Sequence, residues 1–245
     1  MPRIFNFFKK KVQLSPQHLQ TDLHSHLLPG IDDGVNDLEE AVKVLSHMAS
    51  LGYRKVITTP HIMQDVYPNS RETILTLLPQ VKEAARNAGL TIEIAAAAEY
   101  YLDEAFMELL KTPEQLLTFG DNYLLFETNM MSRPMALEEA IFQLQSHDIK
   151  PVMAHPERVQ YILAEPQLLQ ELAQKGLRYQ INLGSFAGYY RKEAKLLAEA
   201  MAKKGMVSFL GSDCHKIQHA RMIEKAFVNR KIRHCEGPQL LNSEL

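Results

Sequence analysis

Residues 21–34, TDLHSHLLPGIDDG, hold two histidines and three aspartates. His24 and His26 are two apart, so on an extended strand both rings point to the same face and toward one ion. Related side chains recur downstream. His61 closes KVITTPH, Glu99 lies in TIEIAAAAEY, Glu127 in NYLLFET and His155 in KPVMAHP, and Asp213 and His215 sit at and just after the end of MVSFLGSD. Asp33, placed by Gly34, completes a set of nine. Imidazole and carboxylate without thiolate suit Mn, Fe, Zn or Mg rather than a structural zinc site. Nine donors exceed what one ion can use, so two or three clustered divalent ions are expected. Such clusters activate water, polarise a substrate and hold a leaving oxygen, the chemistry of hydrolysis and phosphoryl transfer.

Taken singly, each residue has a plainer reading. The His24-x-His26 pair arises by chance, Glu127 could be a buried acid paired with a lysine, and Asp213 and His215 could cap a helix. What favours the metal reading is register, since the donors fall at the ends of six different strand-like runs. Asp32 is assigned to the turn. His18, His47, His147, His219 and His234 read as surface residues. Thiol chemistry does not fit: a cysteine-dependent phosphatase needs arginine shortly after its thiolate. Here six residues separate Cys214 from Arg221, and no arginine follows Cys235. Cys214 reads as a small filler. There is no GxxxxGK phosphate loop and no serine in a nucleophile-elbow setting.

These donors need a scaffold that gathers strand ends. Strand-like runs at 20–26, 55–61, 91–100, 122–128, 150–156, 178–185 and 206–213 alternate with helical patterns. DLEEAVKVLSHMASLG has apolar residues at helical spacing, an acidic first turn and Gly52 as its stop. SRETILTLLPQVKEAARNAG repeats the plan, with Ser70 as N-cap and Pro79 expected to kink or split it. MALEEAIFQLQSHD, PQLLQELAQKG and RKEAKLLAEAMAKKG complete the series. Seven strands alternating with helices imply parallel βαβ units, and in parallel barrels the carboxyl ends of the strands carry the site.

The 245 residues, 46% hydrophobic and 23% charged, are ordinary for one α/β domain. A net charge of −2 offers no field for nucleic acid or anionic lipid. Two cysteines and no apolar run near the roughly 18–20 residues of a membrane span indicate a cytoplasmic protein. The opening MPRIFNFFKKKVQLSPQ has its lysines after its phenylalanines, unlike a secretory signal. The expected organisation is therefore a leader over 1–19 and one barrel domain over 20–245.

DLHSHLLPGIDDG, TTPH, AAEYYLD, LLFE, MAHPER and GSDCH resemble, in order and spacing, the polymerase and histidinol phosphatase (PHP) superfamily. The likeness runs from Thr21 to His215 and is nearest to the manganese-dependent protein-tyrosine phosphatases of bacterial capsule and exopolysaccharide synthesis. It implies a single-domain distorted (β/α)₇ barrel with three divalent ions, manganese foremost. One ion would be held by His24, His26, Glu99 and Asp213. A second would share Glu99 and use Glu127 and His155, and a third would use Asp33, His61 and His215. Arg158 matches a phosphate-contacting arginine, and Arg221 is the candidate for a second, one residue later than the pattern.

The implied reaction is phosphotyrosine hydrolysis by direct attack of a metal-activated hydroxide on phosphorus. His61 could assist a leaving phenolate of pKa about 10. The substrate would be the tail of a membrane-associated tyrosine autokinase. Tyr100, Tyr101, Phe186, Tyr189 and Tyr190 are candidate ring contacts at the mouth, Tyr100 and Tyr189 foremost. The alternatives are a small-molecule PHP phosphoesterase acting on histidinol phosphate or nucleotides, a metal amidohydrolase, and a binding module that kept the fold. The amidohydrolase pattern wants a bridging lysine on a middle strand, where Glu99 and Glu127 stand instead.

Overall fold

The β-branched and leucine-rich runs form nine short strands in the computed structural model, which describes residues 14–245. They are β1 (Thr21–Leu23), β2 (Lys55–Thr58), β3 (His61–Ile62), β4 (Glu93–Ala96), β5 (Glu99–Tyr101), β6 (Tyr123–Glu127), β7 (Lys150–Ala154), β8 (Arg178–Asn182) and β9 (Phe209–Gly211). All pair in parallel, in the orders β1-β2-β4 and β3-β5-β6-β7-β8-β9. Two of the expected strands are each broken in two. Pro60 has no N–H to give a ladder, which interrupts the run between β2 and β3. Ala97-Ala98 separates β4 from β5. Backbone bonds from Ala97 N to Thr58 O and from Glu99 N to Pro60 O carry the pairing across both breaks.

The sheet curls until β9 meets β1. His26 N donates to Cys214 O and Asp213 N to His24 O beside a parallel bridge between Ser25 and Cys214. Gly211 stands at this seam because a Cβ there would collide with the Leu23 carbonyl oxygen. Inside the curl, Leu23, Ile57, Leu125, Val152 and Phe209 pack with Phe119 and Tyr123. The larger apolar layer lies outside, between the sheet and its helices.

Those helices are α1 (Pro16–Leu19), α2 (Leu38–Leu51), α3 (Arg71–Asn87), α4 (Glu104–Leu109), α5 (Leu137–Ser146), α6 (Gln160–Ala164), α7 (Leu168–Gln174), α8 (Leu183–Ala187), α9 (Lys192–Lys203) and α10 (Ile217–Val228). Asp37 caps α2 by accepting from Glu40 N, and Gly52 ends it in the left-handed region at φ 100°. Pro79 does not split α3, which runs unbroken from Arg71 to Asn87. The proline faces solvent, which can satisfy the carbonyl it leaves unpaired, while Ile74, Val81 and Ala85 hold both halves against the core.

The chain ends seal the amino-terminal side of the sheet. Asn242, fully buried, donates to Thr21 O and Leu210 O and accepts from Leu210 N, tying β1 to β9. Of the leader expected over 1–19, residues 1–13 lie outside the described residues. Its last part is packed, with Leu14, Pro16 and Leu19 buried. Among the described residues, no helix is long and apolar enough to cross a membrane.

Candidate metal centre

Three of the candidate ligands hold backbone conformations that L-residues rarely adopt: His24 at φ 96°, His155 at 33° and Asp213 at 51°. Each costs on the order of 1–3 kcal/mol, and each falls just past the regular part of its strand, at the mouth. Strand-end geometry does the rest. Glu99 opens β5, Glu127 closes β6, His155 follows β7 and Asp213 follows β9. The turn after His26 brings Asp33 back over the opening. Gly34 permits that turn, because a Cβ would strike the His26 carbonyl.

All nine candidate ligands converge. Their donor atoms fall into four overlapping groups, each within 4.8 Å: His26, Asp33, His61 and His215; His24, His26 and Asp213; His24, Glu99 and His155; and His61, Glu99 and Glu127. Glu99 is central, with Oε2 3.0 Å from His24 Nε2 and 3.3 Å from His61 Nδ1, and Oε1 2.9 Å from His155 Nε2. Asp33 Oδ1 lies 3.2 Å from His215 Nε2 and 3.6 Å from His61 Nε2.

The electrostatics are those of a site built for cations. Glu99 is fully buried, yet His24 and His61 outweigh desolvation and hold its carboxyl well below the usual range. Asp213 is likewise pulled far down against its burial, by His24, His155 and Arg158. Glu127 goes the other way, pushed well up by burial and by the charges of Glu99 and Asp213. Burial lowers His24, but Glu99 and Asp213 overcome it and raise the ring to about 9. Desolvation takes His61 down to about 4 despite Glu99. A divalent ion bound here would displace protons from these groups.

One atom tests whether a metal fits. His26 Nδ1 donates to Asp32 Oδ2 at 2.8 Å, which leaves Nε2 as a lone-pair acceptor. That Nε2 is buried with no hydrogen-bond partner, although Glu99 Oε2 and Asp213 Oδ1 lie 3.5 and 3.6 Å away. In that neutral form the lone pair faces two carboxylates. Burial disfavours a charged ring, but Asp32 and Glu99 overcome it and raise the His26 pKa well above its ordinary value. The position therefore calls for positive charge, which a proton or a divalent cation between the carboxylates would meet. The donor set fits divalent metal.

The supporting residues were less visible in the sequence. Asp32 does belong to the turn, accepting from Gly34 N and His61 N, but it also fixes the His26 tautomer. His24 Nδ1 donates to Gln180 Oε1 at 2.8 Å, Gln180 Nε2 donates to Asn182 Oδ1, and Asn182 Nδ2 donates to Asp213 Oδ2 at 2.7 Å. This buried chain orients ligands from β1 and β9 together. The available signal was two amides in the otherwise core-like run RYQIN.

A family model described as capsular polysaccharide synthesis, CpsB/CapC, matches residues 20–236. The chain belongs to the CpsB/CapC family. The tyrosine-protein phosphatase YwqE of Bacillus subtilis is 30% identical over 230 residues, 91% of this chain and 90% of the relative. The tyrosine-protein phosphatase CpsB of Streptococcus pneumoniae is 27% identical, covering 80% of this chain and 83% of its own. A structure from a study of YwqE and CpsB, described there as unique metal-dependent tyrosine phosphatases, superposes with a TM-score of 0.78 at 28% identity. It covers 84% of each chain.

In this CpsB/CapC chain seven of the nine candidate ligands line a cleft of about 390 Å³, and the fully buried His24 and His26 do not. Arg158 stands on its wall, with Nη1 2.7 Å from Asp213 Oδ2 and its guanidinium 4.5 Å from the centre of the Tyr190 ring. Arg221 does not reach the cleft. It is exposed on α10, whose contributions to the wall are His219 and the preceding Lys216. Two residues along a helix turn a side chain by about 200°, so a helix that aims His219 inward aims Arg221 away.

Tyr100 also lies elsewhere. Glu99 points into the mouth, so its neighbour on the strand points to the opposite face. Tyr100 is fully buried there, stacked on Phe106, with its hydroxyl accepting from Leu117 N. Phe186 is core, and Tyr101 does not line the cleft, whereas Tyr189 and Tyr190 do. Among the histidines read as surface, His18, His147 and His234 are exposed and His47 is half-buried. His219 belongs to the cleft, and its place one helical turn after His215 was the signal. Cys214 is fully buried, its Sγ donating to Lys216 O at 3.3 Å, and burial pushes the thiol far up. That is the environment of an inert filler.

Proposed function

We propose that this chain is a metal-dependent protein-tyrosine phosphatase acting in capsular or exopolysaccharide synthesis. The observation that carries the reading is the convergence of nine candidate ligands in overlapping groups, seven of them lining one cleft with Arg158 beside them, in a chain whose relatives of similar length are named tyrosine-protein phosphatases. The curled sheet is read as one distorted (β/α)₇ barrel, with β2–β3 and β4–β5 each counted as a single interrupted strand. Three ions, manganese foremost, suit the donors. One would take His24, His26, Glu99 and Asp213; one Glu99, Glu127 and His155; and one Asp33, His61 and His215. Divalent ions held there would supply a water activated near neutral pH and neutralise phosphoryl charge.

The chain's own groups do the remainder. Arg158 presents a guanidinium to a non-bridging phosphoryl oxygen, and its pairing with Asp213 and stacking on Tyr190 hold the fork in place before substrate arrives. His61, about 12% exposed at the mouth, is proposed to assist the departing phenolate oxygen from its place among the ligands of the third ion. The tail of a membrane-associated tyrosine autokinase is the proposed substrate, met in the cytoplasm, with no role for nucleic acid. Lys216 is exposed at the cleft edge, where a peptide flanked by acidic residues would find a counter-charge.

The test is phosphate release from a phosphotyrosyl peptide and from histidinol phosphate by protein loaded with Mn²⁺, alongside metal analysis. Preference for the peptide by a hundredfold or more in kcat/KM is expected. Preference for histidinol phosphate would replace the reading with a small-molecule phosphoesterase.

A further inference from the structure

One wall of the cleft is a continuous run of rings. The Arg158 guanidinium lies over Tyr190; Tyr190 meets Tyr189 edge-to-face at 5.1 Å; Tyr189 meets His219 at 5.5 Å; and His219 meets His215 at 5.6 Å. These contacts span from the turn after β7 to the turn after β9. Tyr190 is pinned from within, since its hydroxyl donates to Asp213 Oδ2 and accepts from Asn182 Nδ2. Tyr189 is different. It is 48% exposed, and its hydroxyl has a single side-chain partner, His219 Nε2 at 3.2 Å.

The state of His219 follows from its other nitrogen. His215 N–H donates to His219 Nδ1 at 3.3 Å, so Nδ1 carries the lone pair and the neutral ring has its proton on Nε2. Nε2–H therefore donates to the Tyr189 hydroxyl and fixes the outer end of a ring whose inner side packs on Tyr190. We propose that His219 is a substrate-positioning residue: it fixes Tyr189 as the outer wall of a slot that receives the aryl ring of a phosphate monoester. The proposal deepens the tyrosine-phosphatase reading and rests on it.

A phosphoryl group drawn to the metal donors and Arg158 leaves the ester's organic part pointing outward. The next surface it meets is this aromatic wall. Edge-to-face and offset packing against Tyr189 favours an aromatic ring over an alkyl chain. Arg221, on the opposite side of the same helix, takes no part.

Kinetics on the Mn²⁺-loaded full chain separate the possibilities. With a phosphotyrosyl peptide, Tyr189→Ala and His219→Ala should each raise KM about 5-fold while kcat stays within about 2-fold. Inorganic phosphate, which has no ring, should inhibit all variants with an unchanged constant, and Mn²⁺ per chain should be unchanged. His219→Gln, whose amide can donate where Nε2 does, should recover most of the wild-type KM, and Arg221→Ala should leave it unaltered. The proposal is overturned if the phosphate inhibition constant rises in parallel with KM, if His219→Ala loses Mn²⁺, or if Arg221→Ala alone reproduces the defect. Failure of the functional reading shows instead in the wild type, as absence of turnover on the peptide under the same loading.

Discussion

The two ends of the curled sheet obey opposite rules. At the amino-terminal end, Asn242 is fully buried, and both its oxygen and its amide nitrogen are paired with backbone of β1 and β9. At the carboxyl end, His26 Nε2, His61 Nδ1 and His155 Nδ1 are buried without hydrogen-bond partners. Carboxyls there are displaced both up and down, whereas left-handed backbone marks both ends, at His24, His155 and Asp213 on this side and at Gln20, Asn122 and Asp148 on the other. Buried polar groups in folded proteins are nearly always satisfied. One end satisfies its groups within the chain and so contributes stability. The other leaves them for a ligand and costs stability until the ligand binds.

The largest effect should come from removing a donor at the open end. His155→Ala and Asp213→Asn are each expected to lower kcat on a phosphotyrosyl peptide by three or more orders of magnitude, on the scale of losing a metal and its electrostatics. Chelation with EDTA should match them, and Mn²⁺ should restore the wild type only. Urea unfolding of metal-free His155→Ala, which breaks a single hydrogen bond to Glu99 Oε1, should show it within about 1.5 kcal/mol of the wild type. Asp213→Asn, whose carboxylate also pairs with Arg158, Asn182 and Tyr190, stands outside that comparison. A large loss of metal-free stability would erase the distinction between the two ends.

The converse experiment is Asn242→Ala. It strips partners from Thr21 O, Leu210 O and Leu210 N, all in the buried seam. About 2–4 kcal/mol should be lost in urea unfolding, while kcat of the folded fraction stays within 2-fold. A defect in kcat at unchanged stability would mean that the two ends are coupled.

The legibility of the sequence followed the same divide. The convergence of the nine candidate ligands was readable because their types are rare in core strands and their positions recur at strand ends. Parallel βαβ order was readable from alternation of period. Asn242 carried no signal, since one asparagine in LLNSEL is like any other until the tail folds back on β1. Gln180, Asn182 and His219 were legible only in retrospect, because their roles depend on which side chains of distant segments they meet. Tyr100 was misplaced by motif proximity to Glu99 although strand alternation argued against it. Of the kink or split expected at Pro79, the split did not occur, because sequence does not say which side of a helix faces water.

A smaller effect concerns Asp22, between the two ends. Its carboxylate accepts from Ser212 N and Oγ, joining β1 to the turn after β9. Burial outweighs those bonds and raises its pKa to about 7. In the unfolded chain the group titrates near 3.8, so between pH 4 and 7 the folded state binds more protons than the unfolded one. Stability from this group is therefore full at low pH and falls as pH rises, by at most about 1.4 kcal/mol per unit. In EDTA, Asp22→Asn should flatten that part of the stability–pH profile, and the wild-type minus variant difference should be level above pH 8. A difference that grows with pH would reverse the assigned sign.

The smallest effect should be at Cys214, which lies at the open end but follows the rule of the closed one. It stands between Asp213 and His215, yet its Sγ is wholly buried and donates to Lys216 O, and burial suppresses the thiolate. Serine has nearly the same shape and a better donor for that carbonyl, so Cys214→Ser should change kcat/KM by less than about 2-fold and stability by under about 1 kcal/mol. Iodoacetamide should leave the Mn²⁺-loaded wild type active, because an alkylating agent needs an accessible thiolate. Position in the sequence puts Cys214 among the ligands, whereas its satisfied hydrogen bond puts it with the scaffold. Inactivation by iodoacetamide with the metal content intact would show that hydrogen-bond satisfaction is the wrong criterion for telling the two ends apart.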